Sequence, residues 1–363
     1  MLSLPTLALG ALLLALAACK DAPPLPAECK LSTDLPAATV DIILRGAAGA
    51  GLPRAERVPG LGLGAGALAS APEAGSGAAA AFATPAAPLD ADLRWDLEPY
   101  GAIAAAARGE LEFLPAAGAD VPDLWRDPGG TWIAIGGRAQ VLLVGRDALA
   151  EASAQAKAAA LEGRFETPSR YTALTEPWLK GKVALAEPTG GAALAHFSAL
   201  YRAWGEARMR GWLAGLKANG AQVLATDEGV RLAVVQGRAV VGLLGSDEAA
   251  KAAASAARVE VVYPNQRSIG TFVWPTALSK LKGAKNADAA AKLAERLADR
   301  ATEQLLVARE PGFLPLRPGI PVPPGVRGAA SLVVVSVDPG QIVLEIGKRR
   351  AELAEWTKGM QGK

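Results

Sequence analysis

Gly181-Lys182-Val183-Ala184-Leu185-Ala186-Glu187-Pro188-Thr189-Gly190-Gly191-Ala192 sets a short apolar strand directly against a glycine turn and a helix start. Residues 183–185 read as the strand and 188–191 as the turn. From Ala192 the chain reads as a helix carrying Leu194, Phe197, Leu200, Tyr201 and Trp204 at helical spacing. A helix that begins where a strand ends points its free N–H groups and positive dipole end into the space above the carboxyl edge of the sheet. That space suits an anion or a polar ligand. Plain α/β connections look the same, so the rest of the chain has to decide.

Working outward, residues 141–144, 222–225, 239–244 and 259–263 read as strands. Helices are expected over 148–162, 206–218 and 230–236, with Asn219-Gly220 closing the second of these by a left-handed cap. Strands alternating with helices predict an α/β lobe with a mostly parallel sheet. Further strands are expected at 39–44, 270–274 and 331–337. The remaining helices are expected at 101–108, 287–308 and 338–356, with Pro99 in the first turn of the first and Asn286 capping the second. Between residues 46 and 89 the chain is glycine, alanine and proline with only four charges, Arg54, Glu56, Arg57 and Glu73, and no clear periodicity.

The chain has 363 residues and 51% apolar content, enough for two lobes and a sizeable core. Its 38 lysines and arginines nearly balance 36 aspartates and glutamates, so it offers no basic field for nucleic acid and no polybasic membrane patch. An apolar run over 7–18, too short to span a bilayer, ends in Leu16-Ala17-Ala18-Cys19 and resembles the bacterial lipoprotein signal, in which the peptide is cut before the cysteine and the cysteine is lipidated. One departure is that no lysine or arginine precedes the run. Acylation of Cys19 would tether the protein to a bacterial membrane on its periplasmic side, at about 0.8 kcal/mol per buried CH₂. The proline-rich chain after it reads as a tether. Cys29 then has no partner, so no disulfide is expected.

Little here supplies catalysis. The single histidine, His196, stands beside the apolar stripe of the helix after the glycine turn and reads as structural; a periplasmic hydrolase using it is the minor alternative. Gly-x-Ser-x-Gly, His-Glu-x-x-His and phosphate-loop motifs are absent from the sequence, and Gly62-Leu63-Gly64 belongs to the low-complexity run. No enzyme is expected.

The order of several motifs carries a resemblance. Ala91-Asp92-Leu93 through Glu98, Gly136-Gly137-Arg138-Ala139-Gln140-Val141-Leu142 and Trp178-Leu179-Lys180-Gly181-Lys182-Val183 are followed by Pro188-Thr189-Gly190-Gly191. Then come Trp204-Gly205-Glu206, Leu216-Lys217-Ala218-Asn219-Gly220, Val262-Tyr263-Pro264-Asn265-Gln266, Lys282-Gly283-Ala284-Lys285-Asn286 and Leu314-Pro315-Leu316-Arg317-Pro318-Gly319. Over roughly two thirds of the chain this order resembles the ferric-ion-binding type of ABC-transporter solute-binding protein, a branch of the type II periplasmic binding fold.

The resemblance implies two α/β lobes joined by crossing strands, a cleft that closes on a small ligand, and delivery to an ABC permease, with the binding protein acting as a monomer. It implies lobe 1 over 39–140 and 264–324, lobe 2 over 141–263, and a C-terminal strand and helix over 325–363, after a signal peptide (1–18) and a lipidated tether (19–38). Glu98 matches a position where the family supplies a carboxylate to ferric iron. Thr189, Gly190 and Gly191 match the turn that holds the companion anion, and Arg138 matches an arginine near the cleft able to pair with an anion.

The departures count too. Ferric-binding members carry two adjacent tyrosines where this chain has Gly245-Ser246-Asp247-Glu248, and their N-terminal histidine ligand is missing. An asparagine expected after Ala225 reads as Asp227. The expected cleft therefore gathers Glu98, Asp227, Asp247 and Glu248 opposite Arg138. That set suits a cation or zwitterion better than a simple anion; ferric iron with a companion anion is the ligand the family implies, and an organic cation or zwitterion (a polyamine, thiamine or an aminophosphonate) is the alternative ligand. A scaffold or sensor that kept the fold and lost its ligand is the alternative.

Overall fold

The computed structural model describes residues 28–59, 90–114, 118–161, 164–255 and 257–361. The lipoprotein-like segment with Cys19, and Gly62-Leu63-Gly64 with Glu73, lie outside them.

In chain order the elements are β1 (Cys29–Thr33), α1 (Ala37–Gly49), β2 (Ala55–Pro59), β3 (Leu93–Asp96), α2 (Tyr100–Ala107), β4 (Leu111–Glu112) and β5 (Trp132–Ile133). Next come β6 (Gly137–Gly145), α3 (Arg146–Ala158), β7 (Val183–Ala186), α4 (Gly191–Trp204), α5 (Glu206–Ala218), β8 (Gln222–Leu224), α6 (Asp227–Val235), β9 (Val241–Gly245), α7 (Ser246–Ala254) and β10 (Val259–Val262). The last are β11 (Val273–Pro275), β12 (Ala277–Leu281), α8 (Ala287–Leu297), α9 (Arg300–Arg309) and α10 (Pro339–Gln361).

Two six-stranded sheets result. The first runs β2-β1-β3-β12-β4 with β5 also on β12, and the second runs β10-β6-β9-β7-β8 with β11 also on β6. The fold is α/β and two-lobed. In the second sheet β7 is parallel to β8 and β9, as the alternation of strands and helices predicts, but β6 runs antiparallel to β9, β10 and β11, so the sheet is mixed. Each lobe is entered and left side by side. The chain passes from β5 in the first sheet to β6 in the second through residues 134–136, and returns from β11 to β12 through Thr276 alone.

Thr276 pins these two crossings. Its hydroxyl donates to the carbonyl of Ile135 at 2.7 Å and accepts from the Ile135 N–H at 3.2 Å and the Trp95 indole at 3.1 Å. All three residues are buried, so the hydroxyl satisfies groups that water cannot reach.

Several expectations are corrected. Residues 39–44 are not a strand but part of α1: the β-branched run suggests extended chain, yet Val40, Ile43, Leu44 and Ala47 form a buried stripe at helical spacing against the lobe 1 core. The first strand is β1, inside the expected tether, where Cys29 is buried and burial pushes its thiol up to about 11. Residues 331–337 form no strand. A 3₁₀ turn at Ala329–Ser331 and one bridge from Val334 to Thr271 stand there instead. The helix expected over 287–308 is two, α8 and α9, broken at Ala298 and Asp299. Asn286 precedes α8 without capping it, because its amide donates to Asp92 at 3.1 Å. The strand expected over 270–274 begins only at Val273, and β12 follows it unforeseen.

Helix α10 packs on α4 of the second lobe and on α2 of the first. Ile342, Val343, Ile346 and Leu353 join the same core cluster as Ile103 and Phe197. Ion pairs Arg349–Glu206 (3.0 Å) and Arg210–Glu352 (2.9 Å) fix it to α5.

Replacing Thr276 by valine keeps the shape but strands the Trp95 N–H and the Ile135 carbonyl in the core. Thr276→Val is expected to lower stability by about 2 kcal/mol in urea denaturation, whereas Thr276→Ser retains most of it.

Candidate functional site

Three parallel neighbours, β9, β7 and β8, end on the same edge of the second sheet, and each is followed by a helix: α7 after β9, α4 after β7 and α6 after β8. Three positive helix ends therefore face one space. The turn quoted at the outset delivers one of them. Gly190 precedes α4, and Gly191 takes a φ of +52° that few side chains adopt. Asp227 and Asp247 stand in the first turns of α6 and α7. From the first lobe, Glu98 arrives after β3 and comes so close to α4 that its Oε1 is 3.7 Å from where a Cβ on Gly191 would lie.

Arg138, near the start of β6, sits between the lobes. Its guanidinium is 2.9 Å from Asp247 Oδ2 on the second lobe and 3.9 Å from Glu98 Oε1 on the first. It lies over the rings of Trp274 (5.1 Å) and Phe313 (5.8 Å), which hold it by cation–π attraction and shield it from water. At Gly245 a Cβ would lie 2.4 Å from Asp247 Oδ1 and 3.1 Å from Asp227 Oδ2, so a side chain there would push the Asp247 carboxylate aside. The Gly245 N–H donates to Asp227 at 3.0 Å.

The carboxylates outnumber the cation. Asp34, at the end of β1, accepts from the Leu97 N–H at 2.6 Å and adds to the field on Glu98. Burial pushes Glu98 up to about 7, against the pull of Arg138 and helped by the negative charges of Asp34, Asp227 and Asp247. Burial likewise pushes Asp227 up to about 6, opposed by the Gly245 N–H, and raises Asp34. Asp227 Oδ1, Asp247 Oδ1 and Arg138 Nε are buried without a hydrogen-bond partner. These are open acceptors beside an open donor.

Of the residues expected at the site, Glu98, Arg138, Gly191, Asp227 and Asp247 are brought together. Glu248 is adjacent but engaged elsewhere, 2.7 Å from Arg231 and also paired with Lys251. Thr189 Oγ1 donates to Glu187 at 3.2 Å. Among the described residues no group of three or more histidine, cysteine, aspartate or glutamate side chains is arranged to hold a metal ion. His196 is fully buried within 6 Å of the rings of Tyr171, Phe197 and Phe272, with both nitrogens unpartnered and its pKa lowered by burial to about 3. It is a neutral core residue. Sequence reasoning missed Asp34, Trp274 and Phe313. Asp34 could have been found only by placing β1 correctly, since carboxylates at the carboxyl ends of parallel strands mark a cleft.

Two α/β lobes that meet over a charged interlobe cleft define a solute-binding protein. The chain belongs to the bacterial extracellular solute-binding protein family, whose model matches residues 110–324. It is 26% identical over 248 residues to Iron uptake protein A2 of Synechocystis sp., a match spanning 65% of this chain and 65% of that protein. In structure it is similar to iron-bound HitA from Pseudomonas aeruginosa, with a TM-score of 0.68 and 19% identity over 93% of this chain and 100% of the other. It is also similar to the Trichodesmium IdiA (FutA) protein in complex with iron and citrate, with a TM-score of 0.66 and 18% identity over 92% and 99%. The family is one of extracytoplasmic binding proteins rather than enzymes.

The raised Glu98 carboxyl makes stability depend on pH with a definite sign. The fold prefers its protonated form, so this contribution is complete below 4.5, the ordinary glutamate value, and declines as pH rises to about 7. Glu98→Gln should flatten that decline and be the more stable protein at pH 8, by on the order of 2 kcal/mol in urea denaturation, with little difference at pH 4.5.

Proposed function

We propose that this protein captures a small cationic or zwitterionic solute in the interlobe cleft and presents it to an ABC permease. The observation that carries this reading is the convergence of Asp34, Glu98, Asp227 and Asp247 from both lobes on the one guanidinium of Arg138. An ammonium or guanidinium donor would satisfy Asp227 Oδ1 and Asp247 Oδ1 and offset the excess negative charge. A carboxylate or phosphonate on the same solute would meet Arg138 and the α4 N-terminus at Gly190 and Gly191, with Thr189 beside them. Polyamines, thiamine and aminophosphonates have this chemistry.

Ferric iron with a companion anion such as citrate is the second reading. It is favoured by the similarity to Iron uptake protein A2, to iron-bound HitA and to the Trichodesmium protein with iron and citrate. Carboxylates are suitable hard donors for it, but the chain has Gly245-Ser246-Asp247-Glu248 where tyrosine ligands would stand.

The proposal includes two lobes divided at the crossings 134–136 and Thr276, rather than at the expected 140/141 and 263/264, with β1 in the first lobe, closing as a monomer on the ligand. It also includes a lipid anchor at Cys19, so that Cys19→Ala should move the protein from the membrane fraction to the soluble one.

A thermal-shift screen of the mature protein against spermidine, thiamine, an aminophosphonate and ferric citrate tests the solute. A ligand at about 100 times its Kd adds roughly 2.7 kcal/mol. Glu98→Ala with Asp247→Ala should abolish the shift without unfolding the protein, and unchanged affinity would remove these residues from the site. Silence across the panel with a cooperative melt would favour a ligand-free scaffold. Because a cation needs ionised carboxylates, affinity for spermidine should be full above about pH 7 and fall as Glu98, then Asp227, protonates below it. Calorimetry at pH 8 and pH 5.5 reads this, and Glu98→Gln should lose the upper step.

A further inference from the structure

A second charged cavity lies outside the cleft, with none of Glu98, Arg138, Asp227 or Asp247 in its wall. It has a volume of about 1160 Å³, and its wall includes Arg164, Arg170, Arg267, Asn265, Ser169 and Ser268. Cavities of this order accommodate small organic molecules.

The three arginines are exposed, and among the described residues none has a carboxylate within 4.0 Å or a hydrogen-bonded side-chain partner. Most other arginines of the protein are paired, as Arg94, Arg108, Arg231, Arg317 and Arg349 are. Two carboxylates also line the cavity, Glu166 and Glu176, and neither reaches an arginine; Glu176 instead accepts from the Trp178 indole at 2.8 Å. Three unpaired guanidiniums lining one cavity concentrate positive charge there, which a shared anion would offset.

The cavity wall is built, not incidental. Asn265 is only 4% exposed, yet it takes a φ of +61°. Its N–H donates to the Ser169 carbonyl at 2.8 Å, and its Oδ1 accepts from the Tyr171 N–H at 3.2 Å. That contact fixes which end of the amide is which. Among the described residues its Nδ2 has no hydrogen-bond partner, and it is not sealed from solvent, which leaves a buried side chain offering a donor to the cavity.

We propose that this cavity binds a small organic polyanion, a phosphate ester or polycarboxylate, whose oxygens are held by Arg164, Arg170 and Arg267 with Asn265 Nδ2 as an uncharged donor. Forked guanidiniums match such oxygens two at a time. The site is separate from the cleft, and the proposal stands whatever solute the cleft takes.

Isothermal titration of the whole mature protein with inorganic pyrophosphate, and separately with citrate, tests it. At least one of the two should bind at one per chain, more weakly as salt rises. Arg170→Ala with Arg267→Ala should weaken that binding at least about tenfold, because each removes a charge-assisted hydrogen bond. Both side chains are exposed, so an unchanged melting temperature is expected in the same variant. Arg138→Ala, which alters the cleft, should leave the binding intact. Absence of binding at low salt, equal affinity in the double arginine variant, or loss in Arg138→Ala alone would each overturn the proposal.

Discussion

The burial of one guanidinium among four carboxylates is the constraint on which the arrangement of this protein depends. Arg138 leaves water to lie between two lobes, and a charge so placed is tolerated only with partners on hand. It finds Asp247 on one lobe, Glu98 on the other, and the faces of Trp274 and Phe313 around it. The partners come from distant parts of the chain, so the ion pairs link the lobes as well as neutralise charge. Burial, with the neighbouring acids, pushes Glu98 up to about 7 and Asp227 up to about 6, so the cleft is poised to respond to a positive group entering it.

The surrounding architecture limits how the lobes can move. Two crossings only a few residues long are tied together by a single threonine hydroxyl, so the lobes are joined along one narrow seam. Away from the cleft, α10 lies across both lobes. Closer in, Gly312 passes so tightly against the start of α7 that a Cβ there would lie 2.1 Å from the Ser246 carbonyl, and the Ser246 hydroxyl donates to the Gly312 carbonyl at 2.7 Å. The lobes thus touch at glycines, where backbones can approach without side chains between them.

Membership of the family fixes the scaffold more firmly than the ligand. The solved neighbours share less than a fifth of their residues with this chain, which is enough to preserve sheets and crossings and too little to preserve a coordination sphere. A hard trivalent ion, a polyamine and a zwitterion all call for negative oxygens, and they differ in how those oxygens must be spaced. The orphaned oxygens of Asp227 and Asp247, together with the unpaired Arg138 Nε, describe a site with directional hydrogen-bonding capacity as well as charge.

By itself the sequence determined the α/β class, the strand-turn-helix unit at 183–191 and most elements from residue 137 onward. Their apolar periods are long and their glycine and asparagine stops are local, so short-range chemistry decides them. It also placed Glu98, Arg138, Asp227 and Asp247 in the expected cleft, not by local pattern but through the resemblance of its motif order to the ferric-ion-binding type of solute-binding protein. Only the tertiary structure decided the rest. Whether 39–44 was strand or helix depended on which face met the lobe 1 core, and β1 in the expected tether gained its identity from neighbours 62 residues away, Ser32 pairing with Arg94 and Thr33 with Trp95. The turning of Glu248 to Arg231, the inclusion of Asp34 and the ring stack over Arg138 are contacts between distant segments. No local pattern encodes them, since what selects them is the desolvation of charge as the two lobes come together.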